Sequence, residues 1–443
     1  MGTQPIGKFL LQYAIPAIIA MTASSLYNMV DSIFIGHGVG PLAISGLAIT
    51  FPLMNLAAAF GSLVGVGASA LVSVKLGQKD YATAQNILGN VVTLNFIIGI
   101  GFSILTLLFL DPILYFFGAS PDTISYARDY MVIILLGNVI THMYLGLNAL
   151  LRASGHPQKA MTATITTVII NTILDPIFIY LFHWGIQGAA IATMLSQVVG
   201  GLLPVFYFLN RKNTSLLHLC RPQFEGGVLL KACVNGSSEL MTNLSMSLVN
   251  ILYNYQLLRF AGEDGVAAYG VIMYASFLFV AVFVGYAVGS APIVSYHYGA
   301  NNRKEVNNLY RKSLKLIGVV AVVMTIGSMF IIPHVARFFV GYDENLLILT
   351  TRAFRLYGLS FLIMGFNVYA SSFFTALGDG VTSALISFLR TLLFQVAAVL
   401  LLPLLLGIDG IWLAVTAAEL AALLVSIGLF ITRDQQFHYR KAE

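Results

Sequence analysis

The chain has 443 residues, of which 58% are apolar and only 9% are charged. Soluble domains average about a quarter charged residues, so this composition excludes a soluble globule, a disordered chain and a nucleic-acid-binding protein. The net charge of +5 therefore bears on orientation in a membrane rather than on an acidic partner. Two cysteines, Cys220 and Cys233, form no disulfide framework, and the eight histidines show no ligand spacing, so no metal site is predicted.

Twelve apolar stretches are long enough to cross about 30 Å of hydrocarbon, which takes roughly 20 helical residues. Only helices suit such lengths, because lipid cannot satisfy an open backbone. We therefore predict an all-α membrane protein with twelve transmembrane helices. In chain order they span approximately residues 9–36, 42–74, 88–110, 126–151, 160–183, 186–209, 229–258, 266–297, 313–333, 346–375, 382–405 and 409–432.

The distribution of lysine and arginine predicts the orientation of these helices, because cytoplasmic loops carry the excess of basic residues. The side that holds the N-terminus collects 17 of the 23 basic residues and the opposite side collects 5, while Arg390 lies within a helix. Both termini are therefore predicted to be cytoplasmic, in a multi-pass protein of the cell membrane. The two cysteines then lie near a reducing compartment and are expected to be free thiols.

The two halves of the chain repeat each other at a nearly constant offset of 222 residues. Because each repeat holds six helices, an even number, the halves share one orientation and are related by a pseudo-two-fold axis along the membrane normal. The predicted divisions are an N-terminal lobe over 1–210, a cytoplasmic linker over 211–231 and a C-terminal lobe over 232–443. The matching positions are Gly40 and Gly262, Gly67 and Gly289, Gly77 and Gly299, Asn86 and Asn308, and, after a one-residue slip, Gly155 and Gly378.

Two acidic residues lie inside helices at similar depth in the N-terminal lobe. At about 1.5 Å per residue, Asp31 lies roughly 9 Å and Asp175 roughly 12 Å from the outer side. An ionisable group in a membrane helix costs roughly 2.5–3.5 kcal/mol or more, so each is a functional candidate by default. Two carboxylates close together in a low dielectric resist joint ionisation, so the pair can take up a proton or hold Na⁺.

Polar neighbours accompany this pair at helical spacing. Asn28 and Ser24 share one face of helix 1 with Asp31, and Asn171 precedes Asp175 by one turn of helix 5. Thr193 lies at a comparable depth in helix 6. The oxygen atoms of these side chains could coordinate a small cation. The alternative is a buried polar cluster that only stabilises the packing of the helices.

The C-terminal lobe carries three further charges in its helices. Glu239 in helix 7 is a candidate for binding a cationic substrate or protons from the cavity, and the alternative is a carboxylate satisfied by Ser237, Ser238 and Asn243. Arg390 and Glu419 lie within reach of one another, which predicts a structural ion pair. At the repeat offset Asp31 matches Tyr253, so the N-lobe site is not duplicated.

At these residues the sequence resembles the multidrug and toxic compound extrusion (MATE) transporters over nearly its whole length, and within them the MepA-type and DinF-type branch. Several separate motifs in the right order carry the resemblance. They are residues 27–36 (YNMVDSIFIG), 150–155 (LLRASG), 171–176 (NTILDP), 188–193 (GAAIAT) and 291–300 (APIVSYHYGA).

The resemblance implies the MATE/MOP fold and secondary active efflux of amphipathic, mostly cationic compounds, driven by inward H⁺ or Na⁺, without any other cofactor. It also implies specific site residues. The coupling-cation positions are Asp31, Asn171, Asp175 and Thr193, the supporting helix-4 positions are Tyr130 and Asn148, and the proline associated with bending of helix 1 is Pro16.

One departure from the family and two alternatives remain. Other members place a second cation site on a helix-7 Glu and a helix-10 Asp, but here helix 10 has no acid between Arg355 and Asp379. A lipid-linked precursor flippase of the same superfamily would need a basic cavity, whereas only Arg390 is buried. An intramembrane enzyme would need a catalytic constellation that is not evident. We expect a monomer that contacts small molecules and the lipid bilayer.

Overall fold

The computed structural model describes residues 5–212 and 215–440, which fold almost entirely into helices. Ten of these helices are long and apolar enough to span a membrane. The longest, Gly226–Gly299, is broken at Gly262, where φ is 64° and ψ is −152°. A further span is made by Glu344–Gly358 and Phe361–Ala376, which are bent by 46° relative to each other. With both breaks taken into account, the described residues contain the twelve predicted spans.

We number the spans α1 to α12 in chain order. A short helix, Leu110–Phe116, lies between α3 and α4. The spans are α1 (Ile6–Gly38), α2 (Pro41–Gly77), α3 (Tyr81–Leu108), α4 (Ile124–Ala153), α5 (Pro157–Leu181), α6 (Gly185–Leu209), α7 (226–261), α8 (263–299), α9 (Arg303–Val340), α10 (Glu344–Gly358 and Phe361–Ala376), α11 (Gly380–Leu406) and α12 (Ile408–Phe437).

The sequence repeat is reproduced in the backbone. Glycines with positive φ occur at matching places in the two halves: Gly40 and Gly262 before α2 and α8, and Gly185 and Gly407 before α6 and α12. The caps match as well. Asp80 accepts a hydrogen bond from the backbone N–H of Thr83 at the start of α3, and Asn302 does the same for Glu305 at the start of α9.

The two lobes meet through α1 and α2 on one side and α7 and α8 on the other, where backbones touch. A Cβ on Gly67 would lie 1.9 Å from the carbonyl oxygen of Ala232, and one on Gly299 would lie 2.1 Å from that of Val74. Val74 lies close to the end of α2 that faces the same side as the N-terminus, which we call the inner side. We call these contacts the inner clasp; it closes the inner half of the lobe interface.

The segment between the lobes is fastened to α3. Asn86 donates to the Glu225 carboxylate at 2.7 Å and accepts from the backbone N–H of Gln223 at 2.8 Å, while Asn90 donates to the Gln223 carbonyl at 2.8 Å. α7 already begins at Gly226, inside the predicted linker. The C-terminal tail repeats the arrangement on α9, where Asn307 donates to the carbonyl of Tyr439 at 2.8 Å.

Candidate functional site

The helices α1 and α5 pack together and bring the two predicted acids to one place. The Asp31 side chain is 6% exposed and that of Asp175 is fully buried. Their carboxyl groups lie close enough to interact directly, and Asp31 Oδ1 has no hydrogen-bond partner. Two ionised carboxylates repel each other in a buried site, so this proximity favours a shared proton or a cation between the two groups. The two acids that the sequence puts at similar depth thus lie side by side.

Asn171 and Thr193 complete the wall around Asp175. With its nitrogen turned toward the acid, the Asn171 amide donates to Asp175 Oδ2 at 2.9 Å and accepts from the Thr193 backbone N–H and hydroxyl, each at 3.3 Å. Both side chains are buried. Because every partner is satisfied only in this orientation, the amide links the carboxylate of α5 to the helix α6.

Two tyrosines contribute hydroxyl groups to the same site. Tyr130 of α4, which the family resemblance suggested, is 1% exposed and lies next to the Thr193 side chain. Tyr27 of α1 also lies next to Thr193 and interacts electrostatically with both acids, but the sequence argument did not select it. Its position one turn before Asp31 was the available signal, since residues four apart share a helix face.

The backbone changes geometry at the charged positions. Immediately after Asp175, Pro176 is followed by a π-helical segment, Ile177–Leu181. The second π segment among the described residues, Leu389–Leu393, contains Arg390. Such segments occur mostly as single turns inside α-helices and frequently at functional sites. The altered register re-aims the side chains next to each charge.

Two predicted members of the network lie elsewhere. Asn28 is exposed, so although it lies three residues before Asp31 on α1 it is not enclosed with the buried acid pair. Asn148 is buried, but it donates to the Ala160 carbonyl at 3.0 Å and to Thr164 Oγ1 at 3.3 Å. Thr164 precedes Asp175 by about three turns of α5, roughly 16 Å. Asn148 is thus a neighbour of the inner end of α5 rather than of the acid pair.

In the C-terminal lobe the predicted ion pair is present. Arg390 Nε lies 3.0 Å from Glu419 Oε1, with both side chains largely buried. Asn367 donates to Glu419 Oε2 at 2.7 Å and accepts from Ser426 at 3.0 Å. A buried pair needs such extra hydrogen bonds to offset desolvation. Arg390 therefore supplies the positive charge next to Glu419.

Glu239 faces the same arginine, with which it interacts electrostatically. The three neighbours proposed for a packing role hydrogen-bond to other groups. Ser237 donates to the Val234 carbonyl at 2.7 Å, Ser238 pairs with the Thr375 hydroxyl at 3.4 Å, and Asn243 donates to the backbone carbonyl of Glu239 at 2.8 Å. None of these three side chains therefore satisfies the Glu239 carboxylate, and Arg390 is the charged residue that influences it electrostatically.

Pro16 lies inside α1 and is buried, one turn from the contact of that helix with α8. There a Cβ on Gly289 would lie 2.7 Å from the Tyr13 carbonyl oxygen. Proline lacks the amide that would close the helical hydrogen bond to the preceding turn. The helix α1 therefore lacks one backbone hydrogen bond between its contact with α8 at Tyr13 and the acid at Asp31, and it can bend there. Among the described residues no cluster of three or more His, Cys, Asp or Glu side chains could hold a metal ion.

The comparisons with known proteins agree with this fold. A family model described as MatE matches residues 16–177 and again residues 240–400. The multidrug export protein MepA of Staphylococcus aureus (strain MSSA476) is 24% identical, covering 97% of this chain and 95% of that protein. MepA of Staphylococcus haemolyticus (strain JCSC1435) is also 24% identical, covering 97% and 94%.

Solved structures superpose over nearly the whole chain. A crystal structure of MATE in complex with MaL6 has a TM-score of 0.93 at 25% identity, covering 98% of both chains. An outward-facing multidrug resistance MATE transporter of the MOP superfamily has a TM-score of 0.92 at 25% identity, covering 98% and 97%. A MOP superfamily transporter from Pyrococcus furiosus, whose binding pocket is described as having reverse polarity, also has a TM-score of 0.92 at 25% identity, covering 98% and 97%.

Proposed function

The chain belongs to the MatE family of membrane transporters, and from this premise we propose that it exports amphipathic, mostly cationic compounds from the cell in exchange for inward H⁺ or Na⁺. It is a multi-pass transporter and not an enzyme. The observation that carries the coupling proposal is the buried contact between the Asp31 and Asp175 carboxyls in one lobe only. A carboxyl pair must be neutralised by a proton or a metal cation, so its occupancy depends on the ion concentration on the outer side. A change in occupancy can then change the conformation of the lobe.

The residues around the pair support either ion. Four carboxylate oxygens and the Thr193 hydroxyl are hard oxygen ligands of the kind that Na⁺ accepts, and the same carboxyls can share a proton. The Asn171 amide nitrogen holds Asp175 in place beside them. Tyr27 and Tyr130 both lie next to Thr193, so α1, α4, α5 and α6 all contribute side chains around the pair and can respond to its occupancy. We propose that cation arrival shifts α1 and lowers substrate affinity in the outward-facing state.

Glu239 is the proposed substrate contact. A cationic compound in the cavity would be attracted by this carboxylate. The apolar surfaces of the cavity would accommodate the apolar part of the compound with little selectivity for its shape. The flippase alternative finds less support, because a phosphate-bearing lipid needs free basic groups. The buried Arg390 is already paired with Glu419 at 3.0 Å.

The membrane arrangement is part of the proposal. The basic excess on the inner side supports a plasma-membrane protein with both termini in the cytoplasm. A monomer suffices, because each chain holds both lobes and the complete acid pair.

The decisive experiment is uphill efflux from proteoliposomes that contain the purified protein. A fluorescent amphipathic cation is followed while a pH gradient or a Na⁺ gradient is imposed separately. We expect one of the two gradients to drive transport against the concentration gradient of the dye, and collapse of that gradient to stop it. Equal dye movement with and without any ion gradient would contradict the proposal, and transport of only a lipid-linked phosphate would favour the flippase.

A further inference from the structure

Polar side chains continue from the acid pair along one face of α5 toward the inner side. They are Asp175, Asn171, Thr167 and Thr164, spaced four, four and three residues apart, and each is at most 9% exposed. Their spacing keeps them on one helix face, and together they span roughly 16 Å. An otherwise apolar lobe thus contains a polar file that leads away from the site.

The facing helix α4 contributes the other half of this file. The Tyr144 hydroxyl donates to Thr164 Oγ1 at 3.1 Å, and Asn148 Nδ2 approaches the same oxygen at 3.3 Å. At the other end Tyr144 interacts with Tyr27, which lies next to Thr193 beside the acid pair. Hydroxyl and amide groups therefore extend from the coupling site to the inner end of the lobe.

Such a file creates a problem for an antiporter. Hydrogen-bonded hydroxyls can pass protons, and their oxygens can bind a metal cation. If the pair exchanged cations with the inner side while the lobes were still closed there, the ion gradient would dissipate without moving any substrate. The inner clasp between the lobes does not block this route, because the file lies wholly inside the N-terminal lobe.

Arg152 lies at the inner end of the file. Its Nη1 donates to Asn148 Oδ1, and its guanidinium interacts electrostatically with Tyr144. The side chain is partly buried. Among the described residues it has no carboxylate within ion-pair distance, in contrast to Arg128, Arg352, Arg390 and Arg433, which all have one. The positive charge of Arg152 is therefore not cancelled locally.

We propose that Arg152 is an electrostatic barrier that prevents cations from leaking between the acid pair and the inner side through the Tyr144–Thr164–Asn148 file. This rests on the proposed antiport function. Fixed arginines exclude cations and protons from other membrane pores in the same way. Arg152 and Thr164 both contact Asn148, and at an effective permittivity near 20 a positive charge at such close range lowers the occupancy of a cation by at least roughly tenfold.

The test is a leak assay without substrate. Proteoliposomes carry a pH-sensitive dye or are exposed to radioactive Na⁺, and ion entry is followed under an imposed gradient. We expect Arg152→Gln to leak at least tenfold faster than the wild type, and Arg152→Lys to stay close to the wild type because it keeps the charge. Arg128→Gln is the matched control, since it removes an exposed arginine on the outer side. It should not leak.

Two further variants keep the proposal falsifiable. Asn148→Asp leaves Arg152 in place but sets a carboxylate against it, so it should leak as well. Thr164→Val in the Arg152→Gln protein should return the leak toward the wild-type rate, because it interrupts the file. Wild-type leak rates in both Arg152→Gln and Asn148→Asp would contradict the proposed barrier. So would a leak of the Arg152→Gln protein that Thr164→Val does not reduce. Failure of antiport itself would instead appear as absent uphill efflux in the wild type.

Discussion

Gly67 of α2 and Gly236 of α7 touch backbone to backbone across the lobe interface. A Cβ on Gly67 would lie 2.6 Å from the Gly236 amide nitrogen, and one on Gly236 would lie 1.8 Å from the carbonyl oxygen of Leu63. The repeat matches the first of these contacts with a related one, since a Cβ on Gly289 would lie 2.8 Å from Ala14 Cα. Closure of the inner half therefore depends on residues without side chains.

We expect Gly67→Ala to open the inner side. The added methyl group has no space, and overpacking of this kind costs typically 1–3 kcal/mol, which changes the ratio of closed to open molecules roughly tenfold. Opening is measured by maleimide labelling of Cys233 on α7 in a Cys220→Ser protein. Labelling should become several-fold faster.

Gly101→Ala is the control for this prediction. Gly101 lies on α3, and a Cβ there would meet no atom within 4 Å, so labelling of Cys233 should not change. An unchanged labelling rate in the Gly67→Ala protein would mean that the lobes can close without this contact.

Asp175→Asn should abolish gradient-driven efflux and leave folding largely intact. Asparagine keeps the shape of the buried side chain and can still bond to Asn171, but it neither titrates nor carries charge. Uphill dye efflux in proteoliposomes measures the loss, and size-exclusion chromatography measures folding. Full transport by the well-folded variant would rule out Asp175 as the coupling group.

Asp31 and Asp175 should behave as one unit. Since their carboxyls contact each other, one cation serves both, and each single neutral variant should already lose coupling. The double variant Asp31→Asn/Asp175→Asn should then be little worse than either single one, because interacting groups give non-additive effects. Transport is measured across pH for all three proteins. Multiplicative defects would indicate two independent sites.

Glu239→Gln should weaken the binding of cationic substrates more than that of neutral ones. A carboxylate adds Coulomb attraction for a cation and little for a neutral molecule. Affinities of a matched cationic and neutral pair decide the question, with the exposed Glu263→Gln as the control for loss of one negative charge. If both ligands lose affinity equally, Glu239 acts through packing.

Arg390→Leu should destabilise the protein far more than Arg352→Leu. The first substitution leaves the carboxylate of Glu419, whose side chain is 5% exposed, without its counter-charge, whereas the pair of Arg352 with Asp409 is 68% and 26% exposed. Breaking a buried pair costs about 3–5 kcal/mol, and an exposed one about 1 kcal/mol at most. Thermal unfolding in detergent compares the two; equal shifts would contradict the structural role of the buried pair.

The sequence predicted the fold well because two signals were strong. The lengths of the apolar stretches predicted the twelve spans. The repeat offset identified glycines at positions where the backbone conformation or a close approach requires glycine. Gly40 and Gly262 both take positive φ, and Gly67 and Gly289 both meet a backbone of the other lobe. The offset could not show which contact each glycine makes, because that depends on how the lobes are placed against each other.

The site was predictable where depth and charge alone decided it. Asp31 and Asp175 are costly in lipid at similar depth, so their contact followed. Helical spacing was less informative for the amides, because it gives the direction of a side chain but not whether a neighbouring helix covers it. Asn28 lies three residues before Asp31 on the same face of α1 and yet is exposed. Asn148 was suggested only by the family resemblance, and its bonds to Ala160 and Thr164 put it about three turns of α5 from Asp175.

The hydrogen bonds of Asn86 and Asn90 to the segment before α7 assign that segment to the N-terminal lobe as a mechanical unit. What joins the two moving bodies is then not a slack tether of some twenty residues but the stretch just after Glu225, where Gly226 and Gly227 begin α7. A Cβ on Gly227 would meet nothing within 4 Å. A pivot this short permits rotation but little sliding, so the lobes can rock about the inner end of α7 without drifting apart.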